Sequence, residues 1–468
     1  MWRSTSPLSK GCQVGTFSSL LTLGTTSHAV LTQRLGTHSH AKQGSKAAKT
    51  AFTAWTWKQY RSQVDDFAKT LVFLEFQPFD CINIIGFNSR EWFVANFGAI
   101  AAGGIAAGIY TTNLPDACKY ISDHSNAKVV LVEGLVQLEK YIQIAGELKN
   151  LKAIVMYGPD ELPEDIAIKC PSMPVYTFDA FLKLGKNRIS DKELVARKDA
   201  LKPEHTCTLI YTSGTTGPPK AVMITHDNIN WTVRSMLSVT PRGKLDESDV
   251  MISYLPLSHI AAQMLDMHVP LVTGQQTYFA EPDALKGSLG ATLKEVRPTV
   301  FFGVPRVWEK IYDKLQEVAK SSTGLKKMLS TFAKKNAMQH WESMEYGSKI
   351  RSPTMYFLAK AILKKAHVAL GLDRAEALYV SAAPIEVKIL KYFASLDLPI
   401  MELFGQSECS GPHAVNKLIA FKIGTVGRPL PGTETKVDEK TGELCCTLNL
   451  VNLTYLMVFC LTLVFCMF

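Results

Sequence analysis

Residues 211–220 read Tyr-Thr-Ser-Gly-Thr-Thr-Gly-Pro-Pro-Lys, and a run of this composition can fold in few ways. It follows an apolar strand-like segment, 208–211, and is too rich in glycine and proline to extend a strand or start a helix. Gly214 and Gly217 open backbone conformations closed to other residues. Successive N–H groups there, with the hydroxyls of Thr212, Ser213, Thr215 and Thr216, can converge on an anion. Lys220 adds a point charge and a donor. The pattern G-x-x-x-x-G-K-[ST] cannot be laid over the run, so it is not a Walker loop. The residue types point to a turn that wraps phosphate oxygens at the end of a strand.

A second run, Glu402-Leu403-Phe404-Gly405-Gln406-Ser407-Glu408, follows another apolar segment at 400–403. Phe404 offers a π-face for stacking, Ser407 a hydroxyl, and Glu408 the hard oxygen that Mg²⁺ prefers. In this order and spacing the two runs resemble the signatures of the adenylate-forming superfamily. Phe404 stands where that family usually has tyrosine, Ala221 where it has glycine after the lysine, and Ala382 in Ser381-Ala382-Ala383-Pro384 where it has glycine beside adenine. The stretches 254–263 and 302–310 are similar to long-chain fatty acyl-CoA synthetases, and 284–287 and 407–413 to their bubblegum-type members. The similarity runs from about Trp55 to Glu443.

The resemblance implies roles residue by residue. ATP or AMP would be held by Thr212, Ser213, Gly214, Thr215, Thr216, Gly217, Pro218, Pro219 and Lys220, and by Glu402, Leu403, Phe404, Gly405, Gln406 and Ser407. Lys220, Glu408 and Thr216 would be catalytic, Glu408 would hold Mg²⁺, and His259 and Gly303 would border the acyl chain. The implied reaction joins a long-chain fatty acid to ATP as acyl-adenylate and then to coenzyme A. The implied fold is α/β, the large N-terminal domain of these enzymes, with mostly parallel sheets flanked by helices. The ribose-binding aspartate and the lysine of the family's small C-terminal domain find no match after Glu443. Two function classes follow: a fatty acid:CoA ligase, and a shortened non-catalytic form that binds nucleotide or acyl chains.

The residues support this class independently. Apolar runs at 82–86, 129–132, 153–156, 299–302 and 378–381 read as buried strands, and 89–108 as a helix on a sheet. Such alternation implies parallel sheets covered on both faces, which bind ligands at the carboxyl ends of strands. The formal charge of +9 suits anionic substrates or an anionic membrane surface. It looks diffuse, which argues against a nucleic-acid partner. The cysteines show no C-x-x-C pair, against a disulfide framework and a zinc site.

Three segments stand apart. Residues 1–50 are basic, hydroxylated and free of acids, the composition of a transit peptide or of a disordered head. Residues 320–365 form a basic helical stretch, read either as a membrane-surface helix or as a solvated one. Residues 444–468 carry no charge; as a helix at roughly 1.5 Å per residue they could cross a ~30 Å hydrocarbon layer, or they are intron-derived or frameshifted sequence. The body, 51–443, is expected to be the adenylation domain. A cytoplasmic protein, associated with the endoplasmic reticulum in the membrane-surface reading, is the expected location, ahead of a mitochondrial one. The sequence leaves the oligomeric state open.

Overall fold

The structure is a computed structural model that describes residues 29–34, 52–212, 218–240, 245–321, 323–345, 355–418, 421–437, 443–450 and 453–462. Its chain contacts divide it into two units. The first holds 56–86 and 91–230, the second 28–55, 87–90 and 231–468.

The first unit is built on a seven-stranded sheet in the order Val175–Thr177, Ala153–Tyr157, Ala127–Glu133, Cys81–Ile85, Ile105–Ile109, Thr206–Thr212 and Lys220–Thr225. Every pairing is parallel except the last, where Lys220–Thr225 returns antiparallel as an edge strand. The central strands Cys81–Ile85 and Ile105–Ile109 are buried throughout, as expected of a sheet covered on both faces. Every strand expected from the apolar runs of this unit is present. The helix expected over 89–108 is confined to Arg90–Ala101. Gly103 has φ 90°, and a side chain at Gly104 would meet Phe76 and the Asp80 carbonyl. The chain therefore breaks there, and the small residues that follow form the strand Ile105–Ile109 instead.

The second unit contains a five-stranded sheet in the order Val300–Gly303, Ala377–Val380, Ile400–Gln406, Gly411–Val415 and Arg428–Pro429. The first three strands are parallel; Gly411–Val415 turns back against Ile400–Gln406. A four-stranded sheet runs Val250–Ser253, Gln276–Phe279, Ala29–Arg34, Phe52–Thr56. Part of the expected head is thus a strand, Ala29–Arg34, parallel to Gln276–Phe279, with Leu31 buried. The rest of 1–50, apart from residues 29–34, lies outside the described residues.

The tail departs from the helix considered for it. Glu443–Leu450 pairs antiparallel with Thr433–Val437 and then with Leu453–Thr462. Local hairpin pairing along a run rich in Thr, Leu, Val, Phe and Tyr satisfies the backbone without a helix. Among the described residues no helix is long and apolar enough to cross a membrane. The basic stretch is helical as expected, in Gly324–Met344 and Tyr356–Leu370.

Candidate functional site

The described ends of the run 211–220 belong to two paired strands at the sheet edge. Thr212 ends one strand and pairs with Lys220, which begins the next, and Tyr211 pairs with Ala221. Ser213, Gly214, Thr215, Thr216 and Gly217 lie outside the described residues. The flanks are braced by the helix Pro115–His124. The Tyr120 hydroxyl donates to the Pro219 carbonyl at 3.1 Å, and His124 Nδ1 meets the Tyr211 hydroxyl at 2.8 Å. Tyr120 and His124 stack, their ring centres 5.6 Å apart. Sequence reasoning missed this brace, because its partners stand nearly a hundred residues from the loop. Lys220 is exposed and makes no ion pair among the described residues, so its charge is available to an incoming anion.

The second motif is also a turn between strands. Phe404 pairs with Ala414, and the register slips between Phe404 and Gly405. A side chain at Gly405 would stand 2.1 Å from the Gly411 carbonyl oxygen, so only glycine lets the two strands meet. Ser407–Cys409 makes one 3₁₀ turn, and Ser410 takes a left-handed conformation at φ 59°. Phe404 is half-buried, its ring perpendicular to that of His413 with centres 6.4 Å apart. His413 is fully buried; its Nε2 meets the Thr435 hydroxyl at 2.6 Å, and burial pushes its pKa down to about 4. Glu402 accepts from the Gly424 N–H at 2.9 Å. Burial raises its carboxyl to about 7, against the opposing effect of the Gly424 and Thr425 backbone donors. Glu408 is half-buried and makes no hydrogen bond or ion pair among the described residues, which leaves its oxygens free for a cation.

His259 caps the short helix Ile260–Ala262, its Nδ1 accepting from the Ala261 N–H at 3.2 Å. Burial lowers its pKa, so the ring is neutral and committed to the cap. Gly303 ends its strand, and a side chain there would collide with the Trp308 indole at 2.7 Å. Trp308 is buried and donates to the Tyr379 carbonyl. The space beside Gly303 is therefore filled by tryptophan. Ala382 has φ 76° and is exposed; its methyl is a matter of backbone strain before it is one of pocket shape.

Beside Leu403 the second unit holds a narrow cleft that sequence reasoning did not locate. Its walls are almost wholly apolar: Met236, Leu237 and Val239, then Leu265 and Val269, then Val300, Ala377, Tyr379 and Leu403, closed by Pro412, Val415 and Leu430. Its free volume is about 50 Å³, room for little more than one water molecule. A long alkyl chain entering here would have to displace side chains. No cluster of three or more metal-ligating side chains occurs among the described residues, so a cation near Glu408 would need ligands from a substrate.

The AMP-binding enzyme family matches residues 37–455, most of the chain. The chain belongs to the AMP-binding enzyme family. Among similar AMP-binding proteins, the long-chain-fatty-acid–CoA ligase ACSBG2 of Xenopus laevis is 44% identical over 404 residues, 86% of this chain and 53% of that protein. The human proteins of the same description, ACSBG2 and ACSBG1, are 40% and 38% identical, over 83% of this chain and 58% and 53% of theirs. The chain spans about half the length of the curated relatives it matches. Solved structures show the same AMP-binding fold at low identity. The anthranilate CoA ligase AuaEII aligns with TM-score 0.66 at 17% identity over 93% of this chain and 70% of its own. A benzoate CoA ligase from Burkholderia xenovorans LB400 aligns at 0.63 and 20%, over 92% and 71%.

Proposed function

We propose that the protein activates a long-chain fatty acid with ATP and passes the acyl group to coenzyme A. The observation that carries this reading is the 44% identity, over 86% of this chain, with the long-chain-fatty-acid–CoA ligase ACSBG2 of Xenopus laevis. The apolar cleft that begins at Leu403, one residue from Phe404, is the place for the alkyl chain and would have to widen to admit it. A carboxylate at the mouth of such a cleft would present its alkyl chain to Met236, Leu265 and Val269 and its head to the motif. The free charge of Lys220 suits phosphate oxygens. Mg²⁺, held by Glu408 and by phosphate oxygens in the manner usual for this ion, would neutralise charge on the phosphates. The half-buried, unpartnered Glu408 carboxylate fits that role. Phe404 would stack on adenine while Ser407 holds a phosphate oxygen. Activation of this kind needs alignment and charge neutralisation more than covalent help.

Calorimetry with MgATP and AMP tests the nucleotide half. Lys220→Ala is expected to weaken binding by about 1.5–3 kcal/mol, the value of a charged contact to phosphate. Glu408→Gln is expected to abolish the dependence of ATP binding on Mg²⁺. Unchanged affinity in both variants would refute the nucleotide assignment. Pyrophosphate release with palmitate or oleate tests the other half. A chain that binds MgATP but releases no pyrophosphate with these acids would overturn the ligase reading and leave a nucleotide-binding protein.

A further inference from the structure

The helices Gly324–Met344 and Tyr356–Leu370 lie antiparallel in the second unit. His340 near the end of one stacks on Tyr356 at the start of the other, ring centres 3.8 Å apart. Their inner faces are small and apolar, a buried cluster of Ala333, Ala337, Ala359, Leu363 and Leu396. Their outer faces are unlike those of solvated helices. Leu325 is 67% exposed, Met328 62%, Phe357 78%, Leu358 52% and Val368 54%. Along Tyr356–Leu370, Phe357, Ala361 and Val368 stand at i, i+4 and i+11, one outward stripe. Lys364 falls to one side of that stripe and Lys365 to the other.

The charge on these helices is of one sign. Gly324–Met344 carries four lysines and a single glutamate, Tyr356–Leu370 three lysines and no acid. Lys334 turns inward, its ammonium 4.5 Å from the centre of the Tyr392 ring. Lys326, Lys327, Lys335, Lys360, Lys364 and Lys365 are exposed and make no ion pair among the described residues. Seven lysines against one glutamate make this hairpin one of two strongly basic stretches of the chain, the other being residues 1–50.

We propose that the outer face of this helical hairpin docks the protein on an anionic lipid surface. Phe357, Leu358 and Val368, with Leu325 and Met328 on the neighbouring helix, would enter the boundary between headgroups and acyl chains. The lysines would lay their stems along the apolar layer and keep their ammonium groups at the lipid phosphates. Two other occupants fit less well. A second copy would bring six lysines against six. A nucleic acid would satisfy the lysines but leave the apolar stripe between them in water. The inference is independent of the nucleotide reading.

The test is co-sedimentation of the full chain with vesicles of phosphatidylcholine, with and without phosphatidylserine. The expected result is binding to the anionic vesicles, at least tenfold weaker to the neutral ones and falling with salt. At about one kcal/mol per basic residue near the surface, Lys360→Glu/Lys364→Glu/Lys365→Glu is expected to lose on the order of a hundredfold in affinity. Phe357→Asp/Leu358→Asp is expected to lose tenfold or more. Both variants change exposed positions, and an unchanged melting temperature checks that they fold. Binding that persists undiminished in both variants would place the contact elsewhere, the uncharged tail included, and overturn the proposal. So would absence of binding, tighter binding to a single-stranded oligonucleotide than to vesicles, or a dimer in sedimentation velocity that Phe357→Asp/Leu358→Asp dissociates.

Discussion

Ala382 shows how one residue changes meaning between sequence and structure. In the sequence it is a methyl added beside an implied purine site. In the structure it is an exposed alanine at φ 76°, a conformation that costs an L-residue roughly 1–2 kcal/mol. Ala382→Gly removes that strain and gives back part of it through the greater entropy of the unfolded glycine, about 0.4–1 kcal/mol. The expected outcome is a net stabilisation of about 0.5–1 kcal/mol, read as a higher urea midpoint at unchanged slope; a midpoint at or below the parent's would contradict the strain. Gly405 was legible, because it is part of the motif. The environment of Glu402 was not. Its donor, Gly424, stands 22 residues away, and nothing near Glu402 in the sequence signals it.

At the scale of elements, the π-helix Gln263–His268 is the least expected feature. Its residues, Gln263, Asp266 and His268 included, are all buried. In the sequence it reads as a continuation of an apolar run, so neither the wider turn nor the fate of Asp266 could be inferred. Burial raises the Asp266 carboxyl to about 8, against a hydrogen bond from Ser253 that opposes the rise. A carboxyl raised in this way contributes stability in full below its unfolded pKa and loses it as pH rises through the folded one. Glu402 behaves likewise up to about 7. His226 and His413, pushed down to about 4 by burial, act in the opposite sense, gaining stability from pH 4 to 6.5. Below pH 6.5 the two pairs offset one another; above it only the carboxyl loss remains. Stability is expected to fall between pH 6.5 and 8, and Asp266→Asn to flatten most of that fall. Urea titrations across pH 6–9 decide it, and an equally steep fall in the variant would show that Asp266 is ionised in the folded protein. The strands, by contrast, were largely legible, because buried parallel strands are short apolar runs bounded by turn residues. Ile105–Ile109 escaped because alanine and glycine carry too little strand signal.

For the whole molecule, the second unit is not contiguous. It joins 28–55 and 87–90 to 231–468, and two of the four strands in one of its sheets, Ala29–Arg34 and Phe52–Thr56, come from the first of these pieces. That arrangement was illegible. Six residues of modest hydrophobicity pair with a strand some 245 positions later, and no local pattern announces such a partner. A fragment of residues 231–468 would leave Gln276–Phe279 as a bare edge, which invites association. It is expected to melt without cooperativity or to aggregate, and to regain a cooperative transition when 28–55 is fused ahead of it. A cooperative melt of 231–468 alone, at the midpoint of the parent, would show that the two early strands are dispensable.

The motif at 404–411 and the cleft beside it are exposed to mutation in opposite ways. The turn from Phe404 to Gly411 is sealed at Gly405, where a side chain would collide with the Gly411 main chain. The walls of the cleft come from separate stretches scattered between Met236 and Leu430, and each side chain can be exchanged while the others stay. On the proposed reading, a scaffold so divided would let a lineage drift from one carboxylic acid to another while its way of holding a nucleotide was inherited unchanged.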